Sequence, residues 1–329
     1  MSPRVVVPIA VLFISFSAIF IRLSTAPPLA IATYRMAFST LFLLPLFLFG
    51  APAPAPADEE PTVGKERSPA GPRRPTGAAK QRHGSLGGVF ASLSGIRRDD
   101  LLLCIASGAF LALHFATWIA SVDMTSIASS TVLVNLQPIF VLAAGALVLG
   151  EKSSRASVLF VGITIVGCAV LSFGDARVGT HHLFGDGLAF LGAVFVAGYM
   201  IIGRLVRQRL TARAYTLIVY SASTVGLLVL DLITGTPLWP FPLTDWLLFA
   251  ALAVFCTLLG HSLLNWALKY VKASVVATSV LGEPVIASLL AVPFFGEIPS
   301  PLGATGAIIT IVGLYFFVRS ERADARQTP

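Results

Sequence analysis

Charge is scarce in this chain. Asp, Glu, Lys and Arg make up 12% of 329 residues, whereas a soluble globular domain carries about a quarter. A soluble enzyme is therefore excluded as a first reading. Cysteine is scarce as well: Cys104, Cys168 and Cys256 each lie inside an apolar run, without the spacing of a disulfide framework or a zinc site. No G-x-x-x-x-G-K-[ST] loop is present to bind a nucleotide, so direct ATP driving is not expected. The strict alternation that a membrane β-barrel needs is missing. The net charge of +7 is scattered between apolar runs and forms no basic face, so nucleic acid is not an expected partner. His181-His182 stand without further ligands and read as solvated, and no cofactor or metal is expected.

What the chain has in abundance is apolar sequence, 56% of its residues. Ten apolar segments are legible, at 5–21, 29–49, 101–121, 127–149, 155–173, 183–203, 214–231, 246–267, 275–296 and 302–318. A crossing helix needs about 20 apolar residues, and these segments are hydrophobic all the way round, as lipid-facing or fully buried helices are. Met1 to Arg4 followed by a long apolar run reads as a retained first helix and not as a cleaved signal peptide. The expected fold class is an all-α integral membrane protein of ten transmembrane helices. Counting Lys and Arg by loop, twenty of 23 fall on one side if the N-terminus is inside, two (Arg22 and Arg177) fall on the other, and Arg35 lies within a helix. Basic flanks are retained in the cytoplasm, so both termini are expected inside, in an inner or plasma membrane.

Residues 50–98 differ in kind, with APAPAPADEEP followed by a Gly, Pro, Lys and Arg mixture. They read as a disordered basic cytoplasmic loop, either a tolerated insertion or an element that binds a regulator or anionic lipid head groups.

An offset of 146 residues superposes Asp99 on Asp245, Pro138 on Pro284, Gly150-Glu151 on Gly296-Glu297, and ITIVG at 163–167 on ITIVG at 309–313. Arg22-Leu23 superposes on Arg204-Leu205 at 182, the excess being the 50–98 loop. The chain thus reads as a duplicated five-helix unit, residues 1–174 and 183–320, with 321–329 as a cytoplasmic tail. Because five is odd, the second copy enters from the opposite side, giving an inverted repeat.

YRMAF at 34–38, QPIF and LGEK within 137–152, LKYVKAS at 268–274, EPV at 283–285 and FFGEIPSPLGATGAIITIVGLYF at 294–316 resemble the EamA-like family of the drug/metabolite transporter superfamily. The resemblance covers about four fifths of the chain. It implies ten helices, cytoplasmic termini, a central cavity between the halves, and export of small metabolites such as amino acids by alternating access. The long 50–98 loop departs from the family's usual short connection.

Inverted repeats place substrate sites near the midplane, where helices are broken. Pro138 and Pro284 occupy matching positions in helices four and nine, and each removes a backbone donor, which frees polar groups or simply kinks the helix. Polar residues precede both: Gln137, with Asn135 nearby, and Glu283. Counting about 1.5 Å per residue, Glu283 lies roughly 12 Å from the inner face. An intramembrane carboxylate is costly unless paired, protonated or hydrated, so Glu283 reads as a proton carrier, a binding group for a substrate amine, or a partner of Arg35. Arg35 matches the family's helix-two arginine, and otherwise reads as a structural or snorkelling cation. His114 and His261 are packing residues or proton relays. Trp118, Trp266, Asn265, Tyr34 and Tyr199 are cavity contacts or interfacial anchors. Glu151 and Glu297 follow helix-ending glycines on opposite faces and read as capping or gate-fastening groups, while the small residues from Gly303 to Ala307 permit close helix approach.

These residues define a secondary transporter of small polar or amphipathic metabolites, with a small-molecule substrate and protons as partners. An exchanger of nucleotide sugars or phosphate esters is the competing transporter reading. It would want several buried cations, and only Arg35 is available. A membrane scaffold using the basic loop, or an intramembrane enzyme using Glu283, His114 or His261, belongs to other classes. The enzyme would need a nucleophile or metal cluster that the sequence lacks.

Overall fold

The computed structural model describes residues 2–49, 96–125, 127–174, 183–296 and 298–327. Nearly all of the basic loop, together with His181-His182 and Glu297, lies outside the described residues. Among the described residues there are helices and no strands. They are α1 (Pro3–Ile14), α2 (Phe16–Leu23), α3 (Pro28–Phe49), α4 (Arg98–Met124), α5 (Ile127–Val134), α6 (Gln137–Val148), α7 (Arg155–Gly174), α8 (Leu183–Val206), α9 (Ala212–Thr234) and α10 (Leu243–Ala251). A π-helical segment (Leu252–His261) continues α10 and is followed by α11 (Ser262–Ala267), α12 (Ala273–Val280), α13 (Glu283–Phe295) and α14 (Pro301–Gln327).

Among the described residues, seven helical stretches are able by length and composition to cross a membrane: Val5–Leu23, Arg98–Ser121, Leu183–Val206, Ala212–Thr234, Leu243–Ala267, Ala273–Phe295 and Pro301–Ala323. Two shorter apolar stretches, Val132–Val148 and Arg155–Leu171, accompany them. Their outward faces carry large apolar side chains such as Leu147, Leu159, Leu232 and Leu289, a surface that water would not tolerate and lipid requires. The chain is a multi-pass membrane protein.

Several apolar segments that read as single helices are interrupted. Gln137 and Glu283 each open a new helix, with Pro138 and Pro284 at the first positions, where a missing N–H is harmless. The preceding helices end at Val134 and Val280, so both breaks fall at the same place under the 146-residue offset. The first segment divides at Ser15, whose hydroxyl donates to Val11 O at 2.7 Å. In the eighth segment the ladder widens to π: Thr257 Oγ1 donates to Leu252 O at 3.3 Å and Ser262 Oγ to Thr257 O at 3.2 Å, each five residues back. Hydroxyls competing for backbone carbonyls are a common cause of such local rewinding. The last helix also runs on to Gln327, through residues that read as a tail.

The packing is set by small residues. Alongside α7, α14 approaches so closely that a Cβ on Gly306 would lie 2.1 Å from Leu171 N. The contacts within this pair are reciprocal, since a Cβ on Gly167 would meet Thr310 N at 2.5 Å and one on Gly313 would meet Thr164 Oγ1 at 2.5 Å. Elsewhere α4 packs on α8 and α9, α3 on α9, and the π segment on α1 and α3.

Candidate functional site

The side chains that converge in the interior do so around Arg35. Carried on α3, Arg35 is 1% exposed. Its Nε donates to Thr257 Oγ1 at 2.9 Å and its Nη1 to Ser17 Oγ at 3.0 Å. The guanidinium carbon stands 4.5 Å above the centre of the Phe115 ring, which offers a cation its negative face. Among the described residues the remaining nitrogen, Nη2, has no hydrogen-bond partner. The helix interruptions serve this arrangement: the division at Ser15 leads into Ser17, and the π segment carries Thr257.

Two histidines flank the same ring. The His114 ring lies 5.1 Å from Phe115, and His261 meets Phe115 edge-on at 5.8 Å. The Nδ1 of His114 is bonded to Gly192 O at 2.9 Å, which makes it the donor, and its ring stacks parallel to Trp118 at 6.0 Å. One step along, Tyr199 donates to Asn265 Oδ1 at 2.7 Å, Asn265 Nδ2 donates to Tyr220 Oη at 3.4 Å, and Tyr220 shares a hydrogen bond with Ser262 at 3.1 Å. Glu283, half-buried at the start of α13, lies within electrostatic reach of Arg35, as do Tyr199, Tyr220 and both histidines. It forms no ion pair with Arg35 among the described residues.

The structure thus gathers Arg35, His114, His261, Trp118, Tyr199, Asn265 and Glu283 into one region. It does not join the other candidates to it by hydrogen bonds. Gln137 and Asn135 are buried at the first helix break. Trp266 packs against Tyr270, the ring centres 4.6 Å apart and the planes tilted by 46°. Tyr34 belongs to an aromatic cluster with Phe249, Trp246 and Phe241, and its hydroxyl donates to Leu238 O. Ser17, Phe115, Thr257, Tyr220 and Ser262 complete the region without standing out in the sequence. A hydroxyl or a phenylalanine in an apolar run carries no signal of its own.

Glu151 lies at a different place, at one end of the bundle. Gly150 ends α6 with a positive φ of 66°, a conformation that costs glycine nothing, and so turns Glu151 back over the helix ends. Its Oε1 receives Arg204 Nε at 2.7 Å and its Oε2 receives the N–H of Ala273, in the first turn of α12, at 3.1 Å. Arg204 Nη1 also donates to Leu268 O and Lys269 O. Nearby, Lys272 Nζ reaches Lys152 O at 2.8 Å and Glu321 at 2.9 Å. These bonds clasp the loop before α7 to α8, α12 and α14. Replacing Glu151 or Arg204 with alanine is expected to cost similar stability, and the double variant little more than either single one. The coupling expected from a thermal or denaturant double-mutant cycle in detergent is about 1–3 kcal/mol. Strictly additive losses would show that the two residues act separately.

A helical membrane bundle with a buried cationic centre and polar groups turned inward is an arrangement that suits a membrane transport protein. The relatives point to the same class. The chain matches the model of the EamA-like transporter family over residues 85–173 and 183–319, and it belongs to that family. It is 24% identical over 229 residues to the pseudopaline exporter CntI of Pseudomonas aeruginosa, covering 69% of this chain and 78% of that one. It is 26% identical over 212 residues to an uncharacterised transporter of Archaeoglobus fulgidus, covering 62% and 71%. A solved crystal structure superposes with a TM-score of 0.70 at 14% identity, over 97% of this chain and 98% of that one, and shares the fold. Family and relatives are transporters, not enzymes.

Proposed function

We propose that the chain is a secondary transporter that exports a small metabolite, of the class of amino acids and their derivatives, by alternating access between two inverted five-helix repeats. The observation that carries this reading is the buried Arg35 with one guanidinium nitrogen left unpartnered among the described residues while Glu283 stands within electrostatic reach. A cation held in the interior at that desolvation cost is retained for an anion that comes and goes. Arg35 Nη2 would receive a substrate carboxylate, and Glu283 would receive either an amine or the proton that couples transport. A single interior arginine suits one carboxylate better than the several charges of a nucleotide sugar.

Ten crossings are supported by the reciprocal α7–α14 contacts, by helix breaks at matching positions, and by α4 on α8 repeating the π segment on α1. With both termini in the cytoplasm, the Glu151–Arg204 clasp closes the inner face, and its release would accompany opening to the cytoplasm.

The test is flux of labelled amino-acid and metabolite panels in proteoliposomes, with and without an imposed pH gradient. Wild-type protein is expected to respond to the gradient. Glu283→Gln, which keeps shape but holds no exchangeable charge, is expected to lose gradient-driven accumulation while retaining substrate exchange. Gradient-driven flux that survives in Glu283→Gln would remove Glu283 from coupling. Loss of exchange together with accumulation would make it a binding residue.

A further inference from the structure

A groove of about 690 Å³ runs between α1, the α12–α13 break and α14. Its floor is apolar, with Val11 from α1, Ile286 from α13, and Ile311, Leu314 and Val318 from α14. At one end it is lined by Arg319 and Arg322, which lie one turn apart on the same helix face, with Tyr315 one turn further in. From Ile311 to Arg322 the helix rises about 16 Å, close to the roughly 15 Å depth of one leaflet's hydrocarbon.

Among the described residues the charge at the mouth has no acidic partner. Between the two arginines in sequence, Glu321 turns to the other side of the helix, where it is buried and bonded to Lys272 at 2.9 Å. Ser320 likewise turns away, sharing hydrogen bonds with Ser154 and Ser157. Arg319 and Arg322 are exposed, and neither forms an ion pair among the described residues.

We infer that this groove is a binding site for an anionic glycerophospholipid, with the phosphate at Arg319 and Arg322 and an acyl chain laid along α14 toward Gly282. Charge complementarity at the mouth and an apolar channel one leaflet deep suit that occupant. A water-soluble phosphate ester would leave the channel unfilled, and a zwitterionic lipid would bring a second cation to the arginines. In the orientation proposed above, this lipid belongs to the inner leaflet. Because Gly282 lines the groove at the helix break, the lipid would lie against the break that precedes Glu283.

Native mass spectrometry of the full chain released from mixed phosphatidylglycerol and phosphatidylcholine micelles tests the site. Phosphatidylglycerol is expected to be retained about tenfold to thirtyfold over phosphatidylcholine, as two interfacial arginines would give. The preference should vanish in the Arg319→Gln/Arg322→Gln variant, whose lipid-free melting temperature serves as the folding control. Leu314→Trp, which fills the channel and keeps both arginines, should also reduce retention. Equal retention of the two lipids by the wild-type chain would overturn the assignment, whether or not the variants fold. Displacement of phosphatidylglycerol by millimolar glycerol phosphate would overturn it in favour of a soluble phosphate site.

Discussion

Replacing Arg35 with leucine is expected to leave a folded protein that no longer transports. The two halves of that expectation have different causes. In the fold, the guanidinium is an expense: it is buried to 1% exposure and its compensation is two hydroxyls and an aromatic face. Arg35 forms no ion pair among the described residues, so removing it lifts a desolvation cost without stranding a bonded counter-charge, and the melting temperature in detergent should hold or rise. In transport, a hydrogen bond to a charged group is worth about 1.5–3 kcal/mol. A carboxylate deprived of that contact should therefore lose about 10-fold to 150-fold in flux at limiting substrate. Arg35→Lys divides the contributions further. Lysine keeps the charge but has no planar fork to hold Thr257 and Ser17 while a third nitrogen faces a ligand, so it should recover only a minor part of the flux. Proteoliposome flux and thermal melting on the same preparations decide the matter. A leucine variant that unfolds would make Arg35 a structural cation, and one that transports normally would remove it from the site.

The same residue shows where sequence reading stops. The crossing segments were legible because lipid demands long apolar runs, and the breaks before Pro138 and Pro284 were legible because proline cannot continue a hydrogen-bond ladder. The divisions at Ser15 and over Leu252–His261 contain no proline. They arise where serine and threonine hydroxyls take backbone carbonyls, and other hydroxyls, such as that of Thr310, do the same without interrupting a helix. Arg35 stood out as a lone charge, but its partners Ser17, Thr257 and Phe115 come from three other segments and become its partners only after folding. The clasp had the same difficulty. The offset of 146 aligned Glu151 with Glu297, and the offset of 182 aligned Arg22 with Arg204. Neither alignment states that Glu151 meets Arg204, because that contact joins the first half to the second.

Replacing Gly306 with valine is expected to cause the largest loss of stability in the bundle, because the atoms in the way are backbone. Even a Cβ there would lie 2.1 Å from Leu171 N, 2.6 Å from Leu171 Cα and 2.8 Å from Gly167 O. A flexible side chain could swing aside, but a helix backbone can yield only by moving α7 and α14 apart. Separation would also open the reciprocal contacts at Gly167 and Gly313, so the damage would spread along the pair. Overpacking against side chains costs about 1–3 kcal/mol, and displacement of two helices should exceed that range. Small residues at such crossings are what permit association where lipid provides no hydrophobic drive. Gly162 supplies the comparison on the same helix α7: it is exposed, and a Cβ there meets nothing within 4 Å. Gly162→Ala should be neutral or stabilise by up to about 1 kcal/mol through helix propensity alone. Detergent melting curves and the monodisperse yield of the two variants should therefore diverge. Similar behaviour at both positions would mean that α7 and α14 are not held together by this contact.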